Sequence, residues 1–98
     1  MEITRNLSGD SLELMVSGRL DTTTAPALEA EIKNSIEGLK SLVFDFAGLE
    51  YISSAGLRVL LSAQKSMNKQ GTMKLVNVNE VVMEVFEITG FVDVLTIE

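Results

Sequence analysis

Cysteine and histidine are both absent from the 98 residues, and proline occurs once, as Pro26. Without cysteine there can be no disulfide, no thiol catalysis and no sulfur-ligated metal, a composition that fits a reducing compartment. Without histidine the chain lacks the usual general base near neutral pH and the commonest metal ligand, which counts against hydrolytic chemistry. Cations are scarce too: eight Lys and Arg stand against fourteen Asp and Glu, a net charge of −6. Holding nucleic-acid phosphates needs clustered cations, so no nucleic-acid partner is expected and a protein partner is the better match. No stretch approaches the roughly 20 apolar residues of a spanning helix. The opening segment, with Glu2, Arg5 and Asp10, does not read as a signal peptide. These absences lead us to expect a cytoplasmic protein, without membrane insertion, metal, cofactor or enzymatic activity.

Hydrophobic residues make up 46% of the chain and charged residues 22%, the balance of an ordinary globular domain. The length suffices for one core, so a single domain over residues 1–98 is expected. Ile3 to Leu7 and Ser11 to Ser17 flank the polar turn Ser8-Gly9-Asp10, and Leu12, Leu14 and Val16 alternate with polar neighbours, which predicts a hairpin with one buried face. Thr24 before Pro26 reads as the cap of a helix running to about Glu37, with Leu28, Ile32 and Ile36 on one face and Gly38 as its stop. Ser41 to Phe46 is nearly all apolar, which predicts a central strand covered on both faces.

Ser53-Ser54 opens a second helix with Leu57, Leu60, Leu61 and Met67 inward and Gly71 beyond its end. A strand over Met73 to Val76 follows, then a helix capped by Asn79, with Val82, Val85 and Phe86 inward and closed by Gly90. Phe91 to Ile97 reads as a last strand. The pattern predicts an α/β fold: a mixed sheet opening with an antiparallel hairpin, then alternating βα units whose helices pack against the sheet. Such an order sets the loops Gly18 to Thr24 and Gly48 to Ser54 at neighbouring strand ends, where binding sites gather in open α/β sheets.

Asp45 to Arg58 carries the most chemistry, because it joins a strand to a helix start through two hydroxyls. A helix start offers unpaired N–H groups and partial positive charge, both suited to a phosphate. Gly56 in the first turn leaves room for a partner's backbone or a nucleotide near Ser54. Two plainer readings stand beside these: a serine at that place caps the helix, and the glycine allows tight packing on the sheet. Asp21 likewise reads either as part of a recognition surface or as a turn acid before Thr22, Thr23 and Thr24. Arg58, one helical turn beyond Ser54, can steer acids or phosphates or simply be solvated. A Ser-Lys nucleophile pair is ruled out by reach, since Lys65 is about 16 Å along the helix from Ser54 at about 1.5 Å per residue.

Tyr51-Ile52-Ser53-Ser54-Ala55-Gly56-Leu57-Arg58, after a strand ending in an acid and the pair Gly48-Leu49, resembles the signature of the STAS domain in anti-sigma factor antagonists. Gly18-Arg19-Leu20-Asp21, Ala25-Pro26-Ala27-Leu28 and Val85-Phe86-Glu87-Ile88-Thr89-Gly90-Phe91 extend the resemblance along the chain in the same order. It implies a STAS fold and a partner-switching cycle. Unmodified antagonist binds an anti-sigma factor that is also a serine kinase and frees the sigma factor; phosphorylation ends binding, and a metal-dependent serine phosphatase reverses it. The phosphoacceptor of the family maps onto Ser54, with Ser53, where many members carry Asp, as second choice. Asp21, Thr22, Thr23, Ser53, Ser54, Gly56 and Arg58 map onto the partner-binding surface. The solution state implied is a monomer or weak dimer. The same resemblance leaves open a STAS module that is never phosphorylated, serving as a scaffold or as an accessory subunit of a transport complex.

Overall fold

Alternation of apolar and polar residues builds the first hairpin. In the computed structural model, which describes residues 1–98, β1 (Glu2–Ser8) runs antiparallel to β2 (Ser11–Leu20) across the Ser8 to Ser11 turn, where Gly9 has φ +60°. Leu12, Leu14 and Val16 are buried and the residues between them are not. The register sets Ile3 opposite Val16, Arg5 opposite Leu14 and Leu7 opposite Leu12, so these six share the inner face.

The rest of the sheet is parallel. β3 (Ser41–Asp45) pairs with the first half of β2, and β5 (Thr72–Val76) pairs with β3, giving the order β1-β2-β3-β5. Between them β4 (Leu49–Ile52) pairs in parallel with the end of β2, past a register shift at Gly18 and Arg19. Sequence reasoning took this segment for loop. It is short, and only Leu49 and Ile52 face inward, so it shows no alternating pattern.

Three helices cover the sheet: α1 (Ala25–Ser35), α2 (Ser54–Asn68) and α3 (Glu80–Thr89). Leu28 and Ile32 of α1, Leu57, Leu60 and Met67 of α2, and Val82 and Phe86 of α3 are buried against Phe44, Phe46, Leu42 and Leu75 in one core. The mixed α/β architecture with its opening hairpin is therefore the one the residue pattern predicts. Asn79 caps α3 by accepting the Val82 N–H at 2.9 Å, and Gly90 ends it in the left-handed conformation at φ 80°.

Three further expectations about the elements need correction. α1 stops at Ser35, two residues short of Glu37, and Gly38 lies in the turn beyond it. β3 is not covered on both faces: Leu42 and Phe44 are buried, whereas Ser41, Val43 and Asp45 keep partial exposure on the outer face. Phe91 to Ile97 is not a strand but a 3-10 turn over Phe91–Asp93 followed by a single bridge from Ile97 to Leu75. Gly90 turns the chain directly into Phe91, and Leu95 is the only buried side chain of the segment.

The junction of α2 and β5 is tight because Gly71 lies against the backbone of Lys40, whose carbonyl accepts the Thr72 N–H at 2.9 Å. A methyl group on Gly71 would collide with that carbonyl, and backbone cannot give way as a side-chain tip does. Gly71→Ala is expected to cost about 1–3 kcal/mol, read as a lower urea midpoint with an unchanged m-value.

Candidate functional site

Two loops meet at the C-terminal ends of β2 and β4. The backbone bond that joins them runs from the Ser53 N–H to the Leu20 carbonyl at 2.9 Å, so Asp21 and Ser54 each begin one residue beyond it. From that edge α2 starts with Ser53 as its N-cap in extended conformation (φ −101°, ψ 177°) and Ser54 as its first residue. The Leu57 N–H already reaches the Ser53 carbonyl at 3.0 Å. That leaves the N–H groups of Ser54, Ala55 and Gly56 without an intrahelical acceptor.

The two serines differ in access. Ser54 is exposed, whereas the Ser53 hydroxyl oxygen is buried, makes no capping bond and has no hydrogen-bond partner. The plain capping reading therefore fails for Ser53 as well as for Ser54. Arg58, one turn further on, is exposed and forms no ion pair. It lines a groove between α2 and the start of α1 together with Thr22, Ala25, Pro26 and Ala55.

Gly56 faces the other way. It is buried, and a Cβ there would stand 2.7 Å from Leu20 Cγ and 2.8 Å from Ile52 Cγ1. The glycine lets α2 close onto β2 and β4; it does not clear space for a partner, and it leaves the partner-facing set inferred from sequence. Gly56→Ala is expected to lower stability by about 1–3 kcal/mol through overpacking while the exposure of Ser54 is kept.

In the loop after β2, Asp21 is a turn-former. Its Oδ1 accepts the N–H groups of Thr23 at 3.0 Å and Thr24 at 3.1 Å, and its carbonyl accepts the Ala25 N–H at 2.8 Å. Thr24 does not cap α1 with its side chain, as had been expected; its hydroxyl donates to the Arg19 carbonyl at 2.8 Å and accepts the Asp21 N–H at 2.9 Å. Asp21 thus closes the turn ahead of α1, and Thr22 and Thr23 are left exposed at its tip.

The Thr24 N–H does most to hold the Asp21 carboxyl below its ordinary value of 3.8; partial desolvation opposes it, and the Thr23 N–H, the Thr24 hydroxyl and Arg19 reinforce it. Because the folded carboxyl is the more acidic, its stabilising effect is complete above the unfolded value and fades as pH falls through the folded one. The difference in melting temperature between the parent and Asp21→Asn is expected to be widest above about pH 5 and to close below about pH 4.

Sequence reasoning passed over Arg19 and Tyr51. The Arg19 guanidinium lies 4.2 Å from the centroid of the Tyr51 ring and its Nε is 3.7 Å from Asp21 Oδ2. Both residues are exposed on the same edge as Asp21. The available signal was a tyrosine beside Glu50, between the two apolar residues Leu49 and Ile52. Asp45, by contrast, is a structural acid: its Oδ1 accepts the Ala47 N–H at 3.0 Å and the Asn77 side-chain amide at 3.1 Å. No group of three or more Asp, Glu, His or Cys side chains is placed to hold a metal, and no helix is long and apolar enough to cross a membrane.

A family model described as the STAS domain matches residues 2–98. The chain belongs to the STAS-domain family. Among STAS relatives, BtrV of Bordetella bronchiseptica, provisionally named an anti-sigma factor antagonist, is 35% identical over 99% of this chain and 85% of its own length. The fold recurs in a Thermotoga maritima protein with the same provisional name, at TM-score 0.89 and 22% identity over 97% of this chain and 84% of that one. It recurs also in the anti-sigma factor antagonist SpoIIAA, at TM-score 0.86 and 18% identity for the unphosphorylated form, over 99% of this chain and 88% of that one. The phosphorylated form of the Bacillus SpoIIAA gives 0.78 and 17% over 99% and 91%.

The STAS chain thus brings Asp21, Thr22, Thr23, Ser53, Ser54 and Arg58 to one edge, adds Arg19 and Tyr51 to it, and turns Gly56 into the core.

Proposed function

We propose that this STAS protein is an anti-sigma factor antagonist controlled by phosphorylation of Ser54. In this reading the unmodified Ser54 edge docks on an anti-sigma factor that is also a serine kinase, and the docked kinase releases its sigma factor. The kinase transfers the γ-phosphoryl group of ATP to Ser54 Oγ, with loss of the hydroxyl proton and release of ADP. A metal-dependent serine phosphatase hydrolyses the ester and restores docking. Such a cycle runs in the cytoplasm, where ATP and sigma factors are. The chain itself supplies an acceptor hydroxyl and a surface; the chemistry belongs to its partners.

The observation that carries this reading is the contrast between the exposed Ser54 hydroxyl at the start of α2 and the buried Ser53 oxygen beside it. A phosphate on Ser54 would lie beside free N–H groups and the positive end of a 15-residue helix. Arg58, four residues on and unpaired, occupies the same helix face. Within its own domain the anion is therefore well placed. Across a docked interface it adds about −1.5 to −2 charges to a surface that fits a neutral hydroxyl, and any of that charge left unpaired on the partner's side costs up to several kcal/mol. Each roughly 1.4 kcal/mol weakens affinity tenfold.

Incubation with the cognate kinase and ATP, followed by fragmentation mass spectrometry, is expected to place one phosphate on Ser54. Ser53→Ala should accept phosphate as before and Ser54→Ala should not. Ser54→Glu is expected to weaken kinase binding roughly 10- to 100-fold while leaving far-UV circular dichroism and the melting temperature nearly unchanged. Phosphate on Ser53 would move the switch to the second-choice serine, and none on a chain that still binds its partners would replace the switch with a STAS scaffold.

A further inference from the structure

Four of the seven large apolar side chains that the fold leaves exposed lie between residues 81 and 94: Val81 at 59%, Ile88 at 78%, Val92 at 38% and Val94 at 44% exposure. At about 100° per residue, Val81, Val85 and Ile88 fall on one line along α3, with Val85, partly buried against the core, between the two exposed side chains. The buried Val82 and Phe86 lie to one side of that line, and Glu80, Glu84 and Glu87 lie to the other. Ile88 is followed by the 3-10 turn at Phe91–Asp93, which packs on α3 and carries Val92. The result is an apolar strip with an acidic margin.

The charge of this region is one-sided. From Leu75 to Glu98 there are five acidic residues and no Lys or Arg, since all eight basic residues precede it. Glu80, Glu84, Glu87 and Asp93 take part in none of the four ion pairs of the chain. A second copy packed strip against strip would offer no cation to these carboxylates and would bring a second set of acids against them. The complement of the strip is an apolar stripe edged with Lys and Arg, and the spacing of Val81, Val85 and Ile88 matches the ridge of a helix.

We infer that the outer face of α3, with the turn that follows it, is a second docking surface, and that it takes a basic amphipathic helix of a partner protein. The surface is separate from the Ser54 edge in residues and in chemistry, and does not depend on the phosphorylation cycle. Binding there is driven by burial of Ile88 and Val81 and given direction by the glutamates, so it requires both.

The test titrates the full, 15N-labelled chain with a synthetic amphipathic helix of Leu and Lys. Amide shifts are expected to concentrate in α3 and in Phe91 to Leu95. Ile88→Glu is expected to weaken binding roughly tenfold or more although it adds negative charge, and Glu84→Lys with Glu87→Lys is expected to weaken it by a similar factor. Ser54→Glu should leave it unchanged, which separates this surface from the switch. These substituted side chains are exposed, so thermal unfolding near that of the parent confirms that each variant is folded. Equal or tighter binding by Ile88→Glu, or shifts scattered over the surface, would reduce the effect to unspecific charge attraction and overturn the proposal. So would a concentration-dependent dimer in sedimentation equilibrium that Ile88→Glu abolishes, because the strip would then be covered by a second copy.

Discussion

The bond from the Ser53 N–H to the Leu20 carbonyl ties together everything at the candidate site. It ends the pairing of β2 with β4, fixes where α2 starts, and sets the Asp21 loop beside the serines. Leu20 serves it twice, because its side chain is fully buried and packs where Gly56 has no Cβ. A bulkier residue at position 56 would push α2 away from the strand ends, and the bond would lengthen with it. The position of an exposed hydroxyl is thus decided by a contact inside the core.

Electrostatics acts on a shorter scale than packing here. The four ion pairs are all between partly or largely solvated side chains, and such pairs contribute little to stability. The more consequential charges are those aligned with backbone. Asp21 is held by two N–H groups at the entry to α1, whereas α2 begins with no acid in its first turn and no side-chain cap. The turn ahead of one helix is closed by a carboxylate, and no such turn precedes the next. That difference separates a turn acid from a place where a charge can be added.

Much of this was legible from residue order. Strict alternation at Leu12, Leu14 and Val16 marked β2, and the pairing of a capping Asn79 with a closing Gly90 marked α3 at both ends. The juxtaposition of the two loops followed from the order of elements. What escaped was decided by tertiary contacts. β4 is four residues long and exposes its two middle residues, so neither of its features carries a period. Val43 is apolar yet partly open, because the helices lie on the other face of the sheet. Gly56 could be assigned to packing only once Leu20 and Ile52 were seen beneath it. The stacking of Arg19 on Tyr51 joins residues from two strands whose pairing the sequence does not announce.

The margins of the sheet are guarded in different ways, and only the outer edge of β1 is left without a backbone or side-chain partner. Beside β5, the Leu75 N–H donates to the Thr96 carbonyl and the Glu98 N–H to the Leu75 carbonyl, both at 2.9 Å. Along β4, the Asn79 side chain donates to the Leu49 carbonyl at 2.6 Å, and on β1 an arginine stands on the inner face, drawn to Glu31 at 3.4 Å. A neighbouring strand finds only the β1 ladder to extend, and an inward-pointing charge such as Arg5 is one of the devices that discourage strand addition at an edge. The two docking surfaces proposed above lie instead on loop tips and helix surfaces, where the loss of a few side-chain contacts would be enough for release. The fold is built to let go.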